Sequence, residues 1–492
     1  MNNERLPLLF KDSANSDLSL LFATLCVIDI FGVFPIIALP RSIVQCGLYG
    51  IPLVLVVFAL QIYTAVLLGK SWTIATTLDP QISRKNRHPL AAVTELTLGP
   101  RARTLVTIIL DLAVFGCSIP NLLVASQNLQ LFGLKVSSQR FDLSFCYWLL
   151  IVGLLLCPIM WLGSPRDMKI LASFSSTMVI LTAVLIWWCI ITDDRELNTT
   201  PIPASPTWDK LISGYGMLAF QFDVHPTLMT VQVDMRRPQD INKAVIISFL
   251  VSGSLFVVTT SLAIWKYGGS TAANVLQMVP GNIMMSAAIL FAAVQLCLSS
   301  ALGHSALFQD LEDQCNIQRT FGWKRCAIRS AVVFLGVAVG ESVPRFDIVM
   351  ALIGGSLTGV PNAEYHRYSY FYYDDLEEEF EEIVDYDDTL SSAKTSEGLL
   401  MTRRSHDHEP IFIDANRPFK VCRRTTVSEE SVPKVKMNCN FRRWNQWFSY
   451  LVVLFGIVVT ISSTYINVKN TIRYVQFTPP CIVNVTVVQN SV

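Results

Sequence analysis

The sequence has few charged residues for its length, and this shortage limits the classes of protein that it can encode. Only 15% of the 492 residues are Asp, Glu, Lys or Arg, and 52% are hydrophobic, whereas soluble proteins carry about 25% charged residues. The formal net charge is zero, so no excess of one sign indicates a nucleic-acid partner. A soluble enzyme and a nucleic-acid-binding protein are both disfavoured.

Residues that carry metal or catalytic chemistry are also scarce. The chain has six histidines and twelve cysteines without a Cys-x-x-Cys pair, and no nucleophile triad or phosphate-binding loop is visible. The cysteines fall largely inside apolar runs, which is typical of small buried side chains rather than of a disulfide framework. The sequence therefore predicts no enzyme activity, no cofactor and no metal site.

Long apolar runs are what the sequence has in abundance. Their length of about 18 to 25 residues matches a hydrocarbon core about 30 Å thick, and the mean hydropathy is +0.44. We predict an all-α polytopic membrane protein with eleven candidate spans. They cover residues 18–43, 49–72, 104–129, 145–162, 170–191, 210–234, 241–264, 282–302, 326–339, a tenth span that begins at residue 346, and 447–468.

Charge and sequons predict the orientation of these spans. No signal peptide is visible, and the polar start of the chain favours a cytosolic amino terminus. Alternating loops then place most Lys and Arg residues on the inner side, as membrane proteins require. Two glycosylation sequons, at Asn198 and Asn484, both fall on predicted outer segments.

Spans one and six contain residues that interrupt a membrane helix. Span six has Asp223, His225 and Pro226 in its middle, and span one has Asp29 and Gly32. Irregular backbone at membrane depth is tolerated only where it is packed in protein or lines a polar cavity. The two breaks lie five spans apart, and matched breaks of this kind indicate the midplane site of a secondary transporter.

Four stretches of sequence carry a resemblance to a known family. They are "HPLAAVTELTLGPRAR", "PIMWLGSPRDMKIL", "GYGMLAFQFDVHPTLMTVQVDMRRP" and "VPRFDIVMALIGGSLTG". Over about residues 18–360 and the last span, the chain resembles the amino acid/auxin permease family of the amino acid–polyamine–cation superfamily. The resemblance implies eleven spans, a five-plus-five inverted repeat, and secondary transport of amino acids held at the unwound middles of spans one and six.

The sequence departs from this family in span one. Val33 and Pro35 stand where the family has glycines, Gly32 lies one position early, and Asp29 replaces an amide. Pro35 has no N–H to offer to a carboxylate. An unusual substrate and impaired transport are both compatible with these changes.

The candidate site residues follow from the breaks. Carboxylates and imidazoles are costly at membrane depth and are mostly functional there, although a structural role in satisfying freed backbone is the alternative. Asp111 in span three is a further buried acid. The predicted substrate-binding residues are Asp29, Gly32, Val33, Phe34, Phe220, Phe222 and Asp223, and the predicted coupling-ion residues are Asp29, Asp223, His225, Ser299 and Ser300.

Beyond residue 361 the sequence changes character. We predict a cytosolic tail at residues 1–17, a transporter core at 18–361, an acidic then basic disordered insert at 362–445, a last span at 446–468 and an extracytosolic tail at 469–492. An inserted loop, an alternative exon and a gene-model error are each compatible with this departure from the family. Span ten is short, so the last helix reverses direction if span ten does not cross.

Two functions are compatible with these features. The first is proton- or sodium-coupled transport of an amino acid by alternating access, and the alternative is a membrane sensor or adaptor that signals through residues 362–445 without transport. Glu4, Leu8 and Leu9 have the acidic dileucine form that sorting adaptors recognise. The predicted location is the plasma membrane or an endosomal, lysosomal or vesicular membrane.

Overall fold

The computed structural model describes residues 18–79, 82, 89–137, 143–161, 169–195, 200–317, 322–343, 345–356 and 439–474. Several predictions concern residues outside these ranges: the sorting residues Glu4, Leu8 and Leu9, the sequons at Asn198 and Asn484, most of the insert, and the carboxyl tail. One compact unit contains every described residue up to 356 and those from 450 onward. A second unit covers residues 370–449, of which the start of the last helix is described.

The described residues are almost entirely helical. Their sixteen α-helices are α1 (Leu20–Phe31), α2 (Phe34–Ile37), α3 (Leu39–Cys46), α4 (Gly50–Leu78), α5 (Pro89–Leu98), α6 (Pro100–Val136), α7 (Phe145–Met160), α8 (Lys169–Ile191), α9 (Trp208–Gln221), α10 (His225–Val233), α11 (Ile241–Tyr267), α12 (Ile283–Gly303), α13 (Ser305–Gln314), α14 (Trp323–Ser342), α15 (Phe346–Ser356) and α16 (Cys439–Tyr474).

The helices have the surface pattern of a membrane protein. Large apolar side chains face outward, such as Ile170 (76% exposed), Leu250 (68%) and Leu154 (65%), because lipid rather than water surrounds a membrane helix. Polar side chains such as Asn128 and Gln295 are fully buried instead. The interior, not the surface, is therefore where polar chemistry is concentrated.

Not every predicted span meets a strict test of length and hydropathy. Within the described residues five segments pass it, at 39–77, 100–136, 170–191, 238–270 and 283–314. A sixth is obtained when α14 and α15, which meet at 113°, are counted as one bent span. Each of the eleven predicted spans overlaps a helix or a broken helix, but the number eleven and the inverted repeat stay predictions.

The predicted break of span one is present and consists of two interruptions. Gly32 ends α1 with a φ of +61°, a conformation that favours glycine because it has no Cβ. Val33 precedes α2, and Ala38 separates α2 from α3. Pro35 lies in the first turn of α2, where its missing N–H removes no helical hydrogen bond.

The predicted break of span six is present as well. Phe222, Asp223 and Val224 separate α9 from α10. A proline disfavours helix at the residue before it, yet His225, which precedes Pro226, is the first residue of α10. This is possible because Pro226 falls in the first turn, where a proline is compatible with helix.

The broken segments lie in the middle of the bundle. α1 packs against α8 and α11, α10 against α4, and α12 against α6 and α8. Among the described cysteines, Cys146 departs from the expectation because it is disulfide-bonded. The other described cysteines with an assigned state are free thiols, and four of them are buried.

Candidate functional site

One glutamine from α12 bridges the break of span one. Gln295 Nε2 donates to the main-chain oxygen of Asp29 at 3.3 Å and to Asp29 Oδ1 at 3.2 Å, and Gln295 Oε1 accepts the N–H of Val33 at 3.2 Å. Gly32 makes this approach possible, because a Cβ at that position would lie 2.9 Å from Gln295 Nε2. A single buried amide thus satisfies the backbone on both sides of the break.

Two further side chains, one from α8 and one from α12, bond to Asp29. The hydroxyl of Ser175 in α8 donates to Asp29 Oδ1, and the hydroxyl of Ser299 in α12 donates to the main-chain oxygen of Asp29 at 2.7 Å. Asp29 Oδ2 is buried and has no hydrogen-bond partner among the described residues. An acid is costly at membrane depth in its charged form.

The two breaks contact each other directly. Gln221, the last residue of α9, donates its amide N–H to the main-chain oxygen of Phe31, the last residue of α1. The rings of Phe31 and Phe222 also meet edge to face, with centroids 5.4 Å apart. Phe58 extends this aromatic cluster, 4.3 Å from Phe222. Side chains at the break of span six therefore bond to the main chain and pack on the ring at the break of span one.

Asp223 and His225 form a hydrogen-bonded pair within the break of span six. His225 Nδ1 lies 2.7 Å from Asp223 Oδ1, and the main-chain N–H of His225 donates to the same oxygen at 3.2 Å. His225 Nε2 lies 2.8 Å from the hydroxyl of Thr64 in α4. The hydroxyl of Thr64 also lies within hydrogen-bond distance of the main-chain oxygens of Leu60 and Gln61, so the contact with His225 accommodates either group as the donor.

One hydrogen bond joins Asp223 and His225, and its heavy-atom geometry accommodates the proton on either group. Both side chains are buried, at 4% and 1% exposed. The pair therefore places two titratable groups in contact at membrane depth.

A cavity lies beside the two breaks. Its apolar wall includes Ile30, Phe34, Val114 and Phe220. Its polar lining residues are Ser118, Asn121, Gln221, Asp223, Thr227, Ser299, Ser300 and His304.

The predicted site residues divide into two groups. Phe34, Phe220, Asp223, Ser299 and Ser300 line the cavity. The remaining predicted residues are not part of its lining: Asp29, Gly32, Val33, Phe222 and His225.

Each residue of the second group has another identifiable contact. Asp29 is bound to Gln295 and Ser299, and Val33 is fully buried in the apolar core. Phe222 belongs to the aromatic cluster. The remaining acid, Asp111, forms a hydrogen bond with Asp310 of α13.

Sequence reasoning missed several residues of the site. Gln295, Gln221 and Thr64 make the hydrogen bonds that hold the breaks, and Asn121 and His304 line the cavity. Amides and imidazoles inside apolar runs were an available signal, because such groups are placed at membrane depth only when they have partners or a function.

The fold and the site define an integral, multi-pass membrane protein of the class with broken transmembrane helices. Residues 21–361 match the model of the family described as "Transmembrane amino acid transporter protein". The chain belongs to this family, as the sequence resemblance predicted.

Individual relatives are more distant. The chain is 24% identical over 271 residues to Amino acid transporter AVT1B of Arabidopsis thaliana, covering 53% of this chain and 49% of that protein. It is 22% identical over 339 residues to Amino acid transporter AVT1C of the same plant, covering 66% and 58%. The chain thus spans about half the length of these curated relatives.

Among solved structures, the chain is similar to MhsT in complex with L-phenylalanine. The TM-score is 0.51 with 12% sequence identity, covering 70% of this chain and 88% of the other. The likeness concerns the fold alone.

Proposed function

We propose that this protein transports amino acids across a membrane by secondary active transport, with alternating access around broken spans one and six. The observation that carries the proposal is the contact of the two breaks, through Gln221 and Phe31, beside a polar cavity. Broken helices that meet around a cavity are the architecture of secondary transporters. Membership of a family of transmembrane amino acid transporters supports the same function.

In this proposal Asp223 binds the substrate's ammonium group and also belongs to the proton site. Its carboxylate lines the cavity while Oδ1 contacts His225. When a cationic group of the substrate approaches the carboxylate, the shared proton is favoured on His225 or is released, because two positive charges compete for one acid. This competition supports proton coupling, and sodium coupling is the alternative.

Transport by the purified protein in proteoliposomes, with a panel of labelled amino acids and with or without a pH gradient, tests the function. We expect a pH gradient across the membrane to drive uptake. We also expect Asp223→Asn to abolish this effect of the gradient. Asp209→Asn is the matched control, since Asp209 is an exposed acid in the first turn of the same broken span. Gradient-driven uptake that persists in Asp223→Asn contradicts the proposed role.

A sensor without transport is a second candidate, and one observation favours it. The N–H of Val33 is already bonded to Gln295, and Pro35 has no N–H, so the span-one turn has two fewer groups for a substrate carboxylate. Labelled amino acid that binds to the purified protein without any flux in proteoliposomes would support the sensor.

The proposed location is a plasma, endosomal, lysosomal or vesicular membrane with a cytosolic amino terminus. Sorting adaptors that bind the segment of Glu4, Leu8 and Leu9 are proposed partners.

A further inference from the structure

The hydroxyl groups that line the cavity share one hydrogen-bonding pattern: each donates its proton to a main-chain oxygen. A hydroxyl has a single proton and two lone pairs, so each of these groups offers only lone pairs to the cavity. The four bonds are Ser118 to Phe115 at 2.6 Å, Thr227 to Val224 at 3.4 Å, Ser299 to Asp29 at 2.7 Å, and Ser300 to Leu296 at 2.7 Å.

His304 adds another acceptor. Its Nδ1 lies 2.5 Å from the main-chain oxygen of Ser300, and a carbonyl can only accept, so Nδ1 carries a proton. The ring of His304 stacks on Phe308, and the guanidinium of Arg329 lies over that same phenyl ring at 4.9 Å. In the neutral ring the lone pair is then on Nε2.

Donors are few in the same lining. Among the described residues that line the cavity there is no lysine or arginine, and the amide N–H of Gln221 is bonded to Phe31. The side-chain donors that remain are the second N–H of Gln221, the amide of Asn121 and the weak thiol of Cys117. The acceptor groups are more numerous: Asp223, His304, Ser118, Thr227, Ser299 and Ser300, together with the amide oxygens of Gln221 and Asn121.

We propose that this cavity selects amino acids whose side chains donate hydrogen bonds through nitrogen, as carboxamide, guanidinium or ammonium groups do, and rejects dicarboxylic amino acids of the same size. The inference rests on the proposed function and specifies its substrate class. The α-ammonium group of an amino acid donates at most three hydrogen bonds. The cavity presents more acceptor groups than that, so some acceptors are left for donors on the side chain. A nitrogen-bearing side chain supplies further donors, whereas a carboxylate side chain would face lone pairs without a cation.

Isosteric pairs of amino acids test this selectivity on the purified full chain. Binding of labelled glutamine in detergent is challenged with unlabelled glutamine or glutamate, and binding of labelled lysine with unlabelled lysine or norleucine, and uptake in proteoliposomes is measured in parallel. We expect glutamate to compete at least about tenfold more weakly than glutamine, since a site built to hydrogen-bond a group rejects the analogue that lacks it. Norleucine is expected to be weaker than lysine for the same reason.

Variants connect the selectivity to the acceptors. Thr227→Val removes one hydrogen-bond acceptor with little change of shape. It should reduce the ratio of glutamine affinity to glutamate affinity several-fold. Thr230→Val, on the same helix α10 but outside the cavity lining, should leave the ratio unchanged. A merely structural role of Thr227 would lower the amount of folded protein without altering the ratio.

The outcomes separate the two proposals. Selective binding with uptake supports both, and selective binding without uptake supports the substrate class while it overturns transport. Equal competition by glutamine and glutamate overturns the substrate class even when uptake is robust. Failure of every amino acid to bind overturns both.

Discussion

The two broken helices satisfy their freed backbone with side chains from different parts of the chain. In span one the partners are distant in sequence: Gln295 is 262 residues from Val33, and Gln221 is 190 residues from Phe31. In span six the partner is local, since the main-chain N–H of His225 bonds to the carboxylate of Asp223, two residues before it. The hydrogen bonds at the first break therefore form only when the helices have packed together, whereas the second break has a hydrogen bond between residues of the same segment.

This difference has a mechanical consequence. Because Gln295 and Ser299 both bond to Asp29 from α12, any motion that separates α12 from α1 must break several hydrogen bonds at one place. The contact of His225 with Thr64 links the pair of Asp223 and His225 to the neighbouring helix α4. The hydrogen bonds between Asp223 and His225 themselves lie within one segment, so they are kept when that segment moves. We expect substitutions at the first break to have the larger effects.

Replacement of Gln295 by methionine should give the largest effect. Methionine has a similar length but no amide, so the buried N–H of Val33 and the acid of Asp29 each lose a partner. Each lost partner costs about 1 to 3 kcal/mol, which predicts a destabilisation of about 2 to 6 kcal/mol and loss of uptake. Thermal unfolding in detergent and uptake in proteoliposomes measure the two quantities.

A second glutamine provides the control for this substitution. Gln232 in α10 is equally buried and donates to the main-chain oxygens of Gly69 and Pro238 at 2.8 and 3.1 Å. Gln232→Met should also destabilise the fold, but the uptake per folded molecule should fall much less. Equal uptake by the two variants would mean that the amide of Gln295 has no special role at the break.

Gly32→Ala should have the next largest effect. The backbone of Gly32 has a φ of +61°, and an added Cβ would lie 2.9 Å from Gln295 Nε2, so the variant combines backbone strain with displacement of the bridging amide. The strain alone costs about 1 to 2 kcal/mol. Gly99→Ala isolates that strain, because Gly99 has a φ of +85° and a Cβ added there would have nothing within 4 Å.

The measurement is the difference between these two glycine variants. Gly32→Ala is expected to unfold at a lower temperature than Gly99→Ala and to lose uptake, whereas Gly99→Ala should retain uptake. Equal unfolding temperatures and equal uptake would show that the contact with Gln295 adds nothing to the strain.

The features that the sequence predicts correctly are local in the chain. The breaks follow from Gly32 and from prolines that are compatible only with the first turn of a new helix. Family membership follows from short motifs in the same way. Each of these signals is contained within one segment.

The features that the sequence does not predict depend on how helices pack. The bonds of Gln295 and Gln221 join residues between 190 and 266 positions apart, and nothing in either local sequence specifies the partner. Phe220 lines the cavity while Phe222, two residues later, enters the aromatic cluster. The direction of each side chain depends on the residue at which α9 ends. Apolar periodicity alone does not fix that residue.

The smallest effect is expected at an ion pair outside the membrane-spanning helices. Arg195 donates from Nε and Nη2 to the two carboxylate oxygens of Asp193, at 2.9 and 2.8 Å, just after α8 ends. These hydrogen bonds lower the pKa of Asp193 below its ordinary value of 3.8. Arg195 is 46% exposed, so solvent screening limits the contribution to about 0.5 kcal/mol.

The pH dependence of Asp193→Asn should reveal this pair. Because the pKa of Asp193 is lower in the folded protein than in the unfolded chain, its stabilisation is complete above the unfolded value of about 3.9 and disappears as the pH falls through the folded value. The free energy of unfolding should thus differ between wild type and variant by about 0.5 kcal/mol at pH 7, and the difference should vanish in strong acid. Asp194→Asn, at the exposed neighbouring acid, should show no such trend. A difference that persists in strong acid would attribute the effect to packing rather than to charge. The contrast between the buried breaks and this pair, whose arginine is exposed, would then lose its electrostatic basis.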